Sequence, residues 1–271
     1  MTSTSGSTQQ SRPAVETAAV VTHGRIDVGN AAARVEAVAE RTGVKIVDDP
    51  RDAQIAIALG GDGTMLRTLA GLLGTDVPAI GVNFGRVGFL ASIMPDELET
   101  QLGRVFAGEY SVVELPTLEA RLDGERHIAV NDVVVTSATL GRMVELAWAV
   151  GGEDLGTVPC DGMICSTPSG STAYNLSNGG PVLVRGLDAL AVTFIAPHSL
   201  DARPLVVPRG AEVTVRNATL DVSVVVLADG HRVADVGPNG EVSIYLSDQK
   251  SLLATLPETT FFGRYRETFT S

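Results

Sequence analysis

The spacing of apolar residues changes once along this sequence, near Leu90, and that change limits the folds open to the chain. Before it, apolar segments such as AAVVTH and QIAIALGG alternate with helical patterns such as GNAAARVEAVAERTG and MLRTLAGLL. This alternation is typical of βαβ units around a parallel sheet. After a further helical segment, MPDELETQLGRVFAGEY, apolar residues recur at every second position in segments such as EVSIYLS, which indicates β-strands.

The two patterns together predict an α/β fold with a β-rich addition. We expect an N-terminal Rossmann-like parallel α/β domain and a C-terminal β-sandwich-like domain. In the β-rich part, Asp123-Gly124 and Asp229-Gly230 each lie between alternating segments. Two-residue hairpin turns favour such pairs because both positions need a positive φ.

The length of the chain bears on its division into domains. With 271 residues, it is near the size at which a single core stops growing, so we expect two domains. We predict a disordered tail over residues 1–14, the α/β domain over 15–91 and the β-rich domain over 92–249. The final segment, 250–271, carries three of the seven phenylalanines. Because exposed aromatic rings are unfavourable, we expect it to pack back on the N-terminal domain.

The charge and the cysteine content exclude several classes of protein. The 20 Lys and Arg residues against 32 Asp and Glu give a net charge of −12, which repels nucleic-acid phosphates. An anionic ligand must then be held locally, by backbone N–H groups, a few arginines or a divalent metal. Two cysteines are too few for a disulfide framework, and we find neither a secretion signal nor an apolar run of roughly 18 residues. We therefore expect a cytoplasmic protein with no nucleic-acid or membrane partner.

A glycine-rich turn stands out in the segment IALGGDGTML. An apolar strand runs into Gly60-Gly61-Asp62-Gly63-Thr64 and then directly into a helical pattern, so the turn lies at the carboxyl end of a parallel strand. Glycines let the backbone approach a phosphate, and the first N–H groups of the next helix lack intrahelical partners. Asp62, between two glycines, has no steric neighbour in the sequence and can reach a substrate hydroxyl. The alternative is a tight turn in which Asp62 or Thr64 only caps the helix.

A second segment, DGMICSTPSGSTAYNLSNGGP, is rich in serine, threonine and glycine. It spans Asp161 to Pro181, with Pro168 as a breaker, and its composition is that of a polar surface loop. Ala173 and Tyr174 among the hydroxyls and glycines also fit a pocket that stacks on a base and binds it through hydrogen bonds. The residues themselves leave both interpretations open.

These segments resemble known signatures. GGDGT is similar to a motif shared by NAD kinases, diacylglycerol and sphingosine kinases and, more distantly, phosphofructokinases. The Asp161–Pro181 segment resembles the NAD kinase signature, departing only at Ser169 and Asn178, and the blocks NFGRVGFL, VNDVVV and IAPHSLDARPLVVP resemble others of that family. The chain is therefore identified as a member of the NAD kinases. A lipid or sugar kinase with the same glycine turn and a non-catalytic NAD(P) sensor remain the alternatives.

The resemblance implies an enzyme that transfers the γ-phosphate of ATP to the adenosine 2′-hydroxyl of NAD, giving NADP. It implies Mg²⁺ or another divalent cation with ATP, and a homodimer or homotetramer, and it leaves inorganic polyphosphate open as a donor. Asp62 matches the family's proposed general base. No residue is assigned as a metal ligand.

Further site residues follow from the resemblance, position by position. The positions that match the family's NAD site are Asp62, Gly63, Phe89, Asn131, Asp132, Asp161, Thr172, Ala173, Tyr174, Asn175, Ser177 and Ala196, with Arg67 placed to meet a phosphate. The positions assigned to phosphate and ATP binding are Gly60, Gly61, Gly63 and Thr64. His231 stands where the family has the glutamine of a DGQ motif, and Pro159 and Cys160 precede Asp161 where some relatives carry an arginine.

Overall fold

The computed structural model describes residues 12–22, 29–85 and 88–270. The chain divides into two compact units, one comprising the residues up to Val113 and those from Leu252, the other Glu114–Ser251. Most of the predicted tail, residues 1–11, lies outside the described residues. Among the described helices, none is long and apolar enough to cross a membrane.

The described residues form five α-helices and sixteen β-strands. The helices are α1 (Gly29–Thr42), α2 (Asp62–Gly71), α3 (Leu98–Phe106), α4 (Tyr174–Ser177) and α5 (Phe261–Phe269). The strands of the first half are β1 (Thr17–Thr22), β2 (Lys45–Ile46), β3 (Ile55–Gly60), β4 (Ala79–Asn83), β5 (Ser111–Leu122), β6 (Glu125–Ala129), β7 (Asp132–Ser137) and β8 (Val144–Val150). Those of the second half are β9 (Glu153–Cys160), β10 (Gly162–Ser166), β11 (Ala189–Ile195), β12 (Leu205–Pro208), β13 (Val213–Asn217), β14 (Val224–Ala228), β15 (His231–Val236) and β16 (Glu241–Thr255).

The first unit is built on a parallel sheet with the strand order β2-β1-β3-β4. The end of β16 extends this sheet by pairing in parallel with β4, where Leu253 lies opposite Ala79. All six residues of β3 are buried, as expected for a central strand covered on both faces. Gly60 of β3 is paired with Asn83 of β4, so the carboxyl ends of these two strands lie side by side. The helical patterns predicted before and after β3 are confirmed as α1 and α2.

The first unit extends beyond residue 91, where the sequence placed a domain boundary. Its continuation, α3, packs on α1, and Leu98 and Leu102 of α3 share one core with Val35 of α1. Arg34 of α1 also donates a hydrogen bond of 2.6 Å to Glu99 of α3. A helix that shares the core of the parallel sheet belongs to that sheet's unit, and periodicity alone does not reveal such sharing.

The second unit consists of two antiparallel sheets. One has the order β9-β8-β13-β16, with β5 pairing both β16 and β6, and the other has the order β12-β11-β10-β7-β14-β15. A single core joins them, since it contains Leu118 of β5 and Val215 of β13 together with Val135 of β7. Both predicted hairpin turns are confirmed, with φ of 48° and 83° at Asp123-Gly124 and of 49° and 78° at Asp229-Gly230. The two units thus confirm the predicted combination of a parallel α/β fold with a β-rich fold.

Candidate active site

The first group of candidate residues lies at the carboxyl ends of β3 and β4. Asp62 is the first residue of α2, and Gly61 before it is the N-cap, with no side-chain hydrogen bond to the helix. Neither Asp62 nor Thr64 therefore caps α2, which rules out the simple turn considered from the sequence. The first N–H groups of α2 lack intrahelical acceptors and carry a partial positive charge. An anion can bind at this helix start.

The carboxylate of Asp62 binds a neighbouring loop. Its oxygens accept hydrogen bonds from the backbone N–H groups of Phe89 (2.8 Å), Leu90 (3.2 Å) and Ala91 (3.3 Å). A Cβ atom on Gly88 would lie 2.3 Å from the Asp62 Oδ2 atom, so this close approach requires glycine. Although its two neighbours in the sequence are glycines, segment 88–91 encloses the Asp62 carboxylate from a distant part of the chain. A carboxylate offers about four acceptor positions, so three amides fix its orientation and leave capacity for one more donor.

The glycines of the turn differ in role. A Cβ on Gly60 would lie 2.2 Å from the Thr64 Oγ1 atom, whereas Cβ atoms on Gly61 and Gly63 would meet nothing within 4 Å. Gly60 and the buried Thr64 therefore pack against each other inside the protein. Gly61 and Gly63 leave open space at the start of α2, and Arg67 is exposed farther along the same helix.

Phe89 lies in the segment that holds Asp62, but its ring packs on α5. The ring centroid is 5.8 Å from that of Phe261 and 5.7 Å from that of Phe269. The residue is only 9% exposed. Its backbone N–H, rather than its ring, is directed to Asp62.

A second group of candidates lies in the other unit, where a second carboxylate holds three successive amides. Asp229, in the turn between β14 and β15, accepts hydrogen bonds from the N–H groups of Val130 (2.8 Å), Asn131 (2.7 Å) and Asp132 (3.3 Å). Sequence reasoning treated Asp229 only as a turn residue and missed this role. The sequence indicated only that an aspartate lies at a hairpin turn, and this gave no indication of which groups it binds.

Asn131 and Asp132 are buried by this arrangement. Burial, together with the nearby charge of Asp229, raises the pKa of Asp132 to about 7. Burial also raises the pKa of Asp229, although the amides that it binds favour its charged form. The Asn131 Oδ1 atom is buried and has no hydrogen-bond partner among the described residues. A buried acceptor of this kind is satisfied when a ligand or water reaches it.

The serine- and threonine-rich segment packs against these residues. Thr167 donates from its N–H to the Asn131 carbonyl (2.9 Å) and from its Oγ1 to the Val130 carbonyl (2.7 Å). Ser166, Thr167, Ser171 and Asn175 are each 0% exposed. The interpretation of this segment as a polar surface loop was therefore wrong, because its hydroxyls satisfy buried backbone groups.

Asn175 holds the fold of this segment. Its Nδ2 donates to the carbonyls of Ser171 and Pro181 at 3.0 Å each, and its Oδ1 accepts from the Thr193 hydroxyl at 2.7 Å. Since this side chain is fully buried and bonded at both of its polar atoms, we withdraw Asn175 as a direct ligand contact.

Other members of the second group face solvent. Asp161, Ala173, Ser177 and Ala196 are exposed, Thr172 is half-buried, and Tyr174 is 45% exposed. The N–H of Asp161 donates to the Ile195 carbonyl at 2.9 Å, which brings Asp161 beside Ala196. His231 is exposed, and its Nδ1 lies 3.1 Å from the Asp229 carbonyl oxygen.

The described residues contain no group of three or more His, Cys, Asp or Glu side chains that could hold a metal ion. The two cysteines, Cys160 and Cys165, are buried, and burial raises the pKa of each thiol to about 12. Such thiols stay protonated and unreactive near neutral pH.

Family models match both parts of the chain. Residues 8–110 match the ATP-NAD kinase N-terminal domain, and residues 130–256 match the ATP-NAD kinase C-terminal domain. The chain is 38% identical to an NAD kinase of Heliobacterium modesticaldum over 89% of its length and 87% of that protein. It is 39% identical to an NAD kinase of Gemmatimonas aurantiaca over 81% of its length and 77% of that protein.

Solved structures match as well. An NAD kinase from Archaeoglobus fulgidus, crystallised in complex with ATP, has a TM-score of 0.78 at 28% identity and covers 94% of this chain and 97% of its own. A yeast NADH kinase complexed with NADH has a TM-score of 0.83 at 19% identity, covering 95% of this chain and 88% of its own, and at that identity supports the fold.

The raised pKa of Asp132 predicts a pH-dependent effect of the Asp132→Asn substitution on stability. In the folded state the acid stays protonated up to about pH 7, whereas in the unfolded chain it ionises near its ordinary pKa of about 3.9. Its contribution to stability is thus fully present below about pH 4 and is lost as the pH rises through about 7. Relative to the parent, the variant should gain roughly 2–3 kcal/mol in free energy of unfolding between pH 5 and pH 8.

Urea denaturation of both proteins at the two pH values measures this gain. Asp161→Asn, at an exposed position of the same unit, is the control for the loss of a carboxylate. An equal difference between Asp132→Asn and the parent at both pH values would contradict the raised pKa.

Proposed function

This chain belongs to the NAD kinase family and phosphorylates NAD, and from that premise we propose which of its residues carry out the transfer. The 2′-hydroxyl of the adenosine ribose of NAD attacks the γ-phosphate of ATP, and the bond from the γ-phosphorus to the β,γ-bridging oxygen breaks. NADP and ADP leave. The observation that supports this assignment best is the Asp62 carboxylate, held by three amides next to an open helix start.

Asp62 accepts the proton of the attacking hydroxyl in this proposal. In a loose phosphoryl-transfer transition state the hydroxyl loses its proton late, so orientation of the base matters more than its strength. Three backbone N–H groups supply that orientation, and the remaining acceptor capacity of the carboxylate is available to the ribose hydroxyl.

The start of α2 binds phosphate in this scheme. Gly61 and Gly63 leave room for phosphate oxygens to approach the unpaired N–H groups, and Arg67 adds a positive charge on the same helix. Gly60 and Thr64 act indirectly, by packing the turn. The described residues hold no acidic cluster that would form a metal site from protein groups alone. We propose that Mg²⁺ enters with ATP, bound to its phosphates, as part of the substrate.

The second unit recognises NAD. The unpaired Asn131 Oδ1 atom and the Asp132 carboxyl group provide polar contacts, and Tyr174 and Ala173 provide an apolar surface for a base. Exposed or half-buried positions complete the proposed set: Asp161, Thr172, Ser177 and Ala196. Asn175 contributes indirectly, through the buried hydrogen bonds that hold its segment in place.

Other features stay proposals on the same footing. We propose ATP as the phosphate donor, with inorganic polyphosphate as a second donor to be tested. We also propose a cytoplasmic location, which suits the two free thiols. The proposed oligomeric state is a homodimer or homotetramer. Incubation of the purified protein with NAD, MgATP or polyphosphate, followed by an NADP-specific dehydrogenase assay, tests donor use directly. A sensor without activity, or a lipid or sugar kinase, would form no NADP.

Replacement of the proposed base should affect turnover. Asp62→Asn should lower kcat for NADP formation by about 10²- to 10⁴-fold, the usual effect of removing a positioned general base, with little change in the dissociation constant of NAD. Steady-state kinetics and calorimetric titration with NAD measure the two quantities. Asp76→Asn, which removes an exposed carboxylate of the same unit, is the control. A loss below about tenfold would remove Asp62 from this role.

Loss of the proposed stacking surface should affect substrate affinity. Tyr174→Ala should raise the KM for NAD by roughly 3- to 10-fold, because an aromatic contact contributes about 0.5–1.5 kcal/mol, and should leave kcat within about twofold. Tyr174→Phe keeps the ring and separates stacking from the hydroxyl contact. An unchanged KM in Tyr174→Ala would mean that the base binds elsewhere.

A further inference from the structure

Arg264 of the C-terminal helix α5 contacts the same short segment that holds Asp62. Its Nη2 donates to the carbonyl oxygens of Ala91 (3.2 Å) and Ser92 (3.1 Å). The side chain is 11% exposed, and its Nη1 forms an ion pair of 3.2 Å with Glu267 on the same helix. Asp62 thus binds the N–H groups of segment 88–92, and Arg264 binds its carbonyl groups.

Aromatic packing adds a second link between α5 and this segment. The ring of Phe89 lies 5.8 Å from Phe261 and 5.7 Å from Phe269, at the two ends of α5. The N–H of Phe89 makes the shortest of the three hydrogen bonds to Asp62, at 2.8 Å. Phe89 therefore contacts α5 through its ring and Asp62 through its backbone.

The helix α5 contributes little to the core of its unit. It has nine residues, none of them buried, and its N-cap is the side chain of Thr260, which accepts from the Gly263 N–H at 3.0 Å. A helix this short is marginal alone in water. Its contacts with segment 88–92 can therefore be weakened without opening the hydrophobic core beneath the sheet.

We propose that Arg264 is a positioning residue for phosphoryl transfer. By binding the carbonyls of Ala91 and Ser92, it fixes the two peptide planes that directly follow the one whose Ala91 N–H binds Asp62, and so restrains the end of the segment that orients the Asp62 carboxylate. This inference rests on the proposed role of Asp62. Misplacement of a reacting group by about 1 Å can lower a rate 10²-fold, so partial loosening of segment 88–92 should have a measurable effect on kcat.

The test compares Arg264→Met with Arg266→Met, in the full-length protein. Arg266 is exposed on the same helix, so its variant controls for the loss of a positive charge from α5. We expect Arg264→Met to lower kcat about tenfold while the KM for NAD and the melting temperature stay near the parent values. Arg266→Met should keep the parent kcat. Equal kcat values for the two variants would overturn the proposal.

A double-mutant cycle with Asp62→Asn separates positioning from a general structural effect. If Arg264 acts through Asp62, Arg264→Met should cause no further loss of kcat in the Asp62→Asn background, because the carboxylate that it orients is gone. A full further tenfold loss would overturn the inference and leave the role of Asp62 intact. If Asp62→Asn alone has no effect, the proposed function of Asp62 fails instead, and the two failures are distinguishable.

If Arg264→Met does not fold, Arg264→Lys replaces it in the same experiments. Lysine keeps the charge but cannot present the planar pair of donors that reaches two carbonyls at once. We expect it to lower kcat about threefold, with an unchanged KM for NAD, and to have no effect in the Asp62→Asn background. A parent-like kcat in Arg264→Lys would also overturn the proposal.

Discussion

A carboxylate that accepts hydrogen bonds from three successive backbone N–H groups is the interaction on which the functional parts of this protein depend. Asp62 makes it with residues 89–91 and Asp229 makes it with residues 130–132, once in each unit. Backbone donors that are removed from water need partners, and a carboxylate has enough acceptor positions for several of them. Each aspartate thereby fixes a segment of irregular backbone.

In the first unit this interaction gives Asp62 a structural function beside the catalytic one that we propose for it. The carboxylate organises segment 88–91, and that segment in turn prevents the side chain from changing rotamer. The absence of a side chain on Gly88 permits the approach, and the open positions at Gly61 and Gly63 keep the start of α2 accessible to an anion. Under the proposed mechanism, structural and catalytic requirements fall on the same residue, and this is the reason for our proposal that segment 88–92 and α5 affect the chemistry of Asp62.

In the second unit the same interaction places an acidic group in the protein interior. The amides that bind Asp229 bring Asp132 into a buried position next to a second carboxylate, and desolvation is the larger cause of its raised pKa. The serine- and threonine-rich segment closes this region by bonding to the carbonyls of Val130 and Asn131. A polar sequence can therefore lie in a protein interior when its hydroxyls satisfy backbone groups that would otherwise be unpaired.

Local patterns in the chain predict the parallel α/β unit, the β-rich unit, both Asp-Gly hairpin turns and the strand-turn-helix that presents Asp62. These features follow from periodicity and from the φ preferences of glycine and aspartate. Which polar side chains face outward depends instead on long-range packing. Asn175 and Tyr174 are adjacent in the chain, yet one is fully buried and the other is 45% exposed. The partners of Asp229 lie 97 to 99 residues away, and no local pattern encodes a contact over that separation. Long-range packing selects the hydrogen-bond partner of each carboxylate, and with it the residues left free for a ligand.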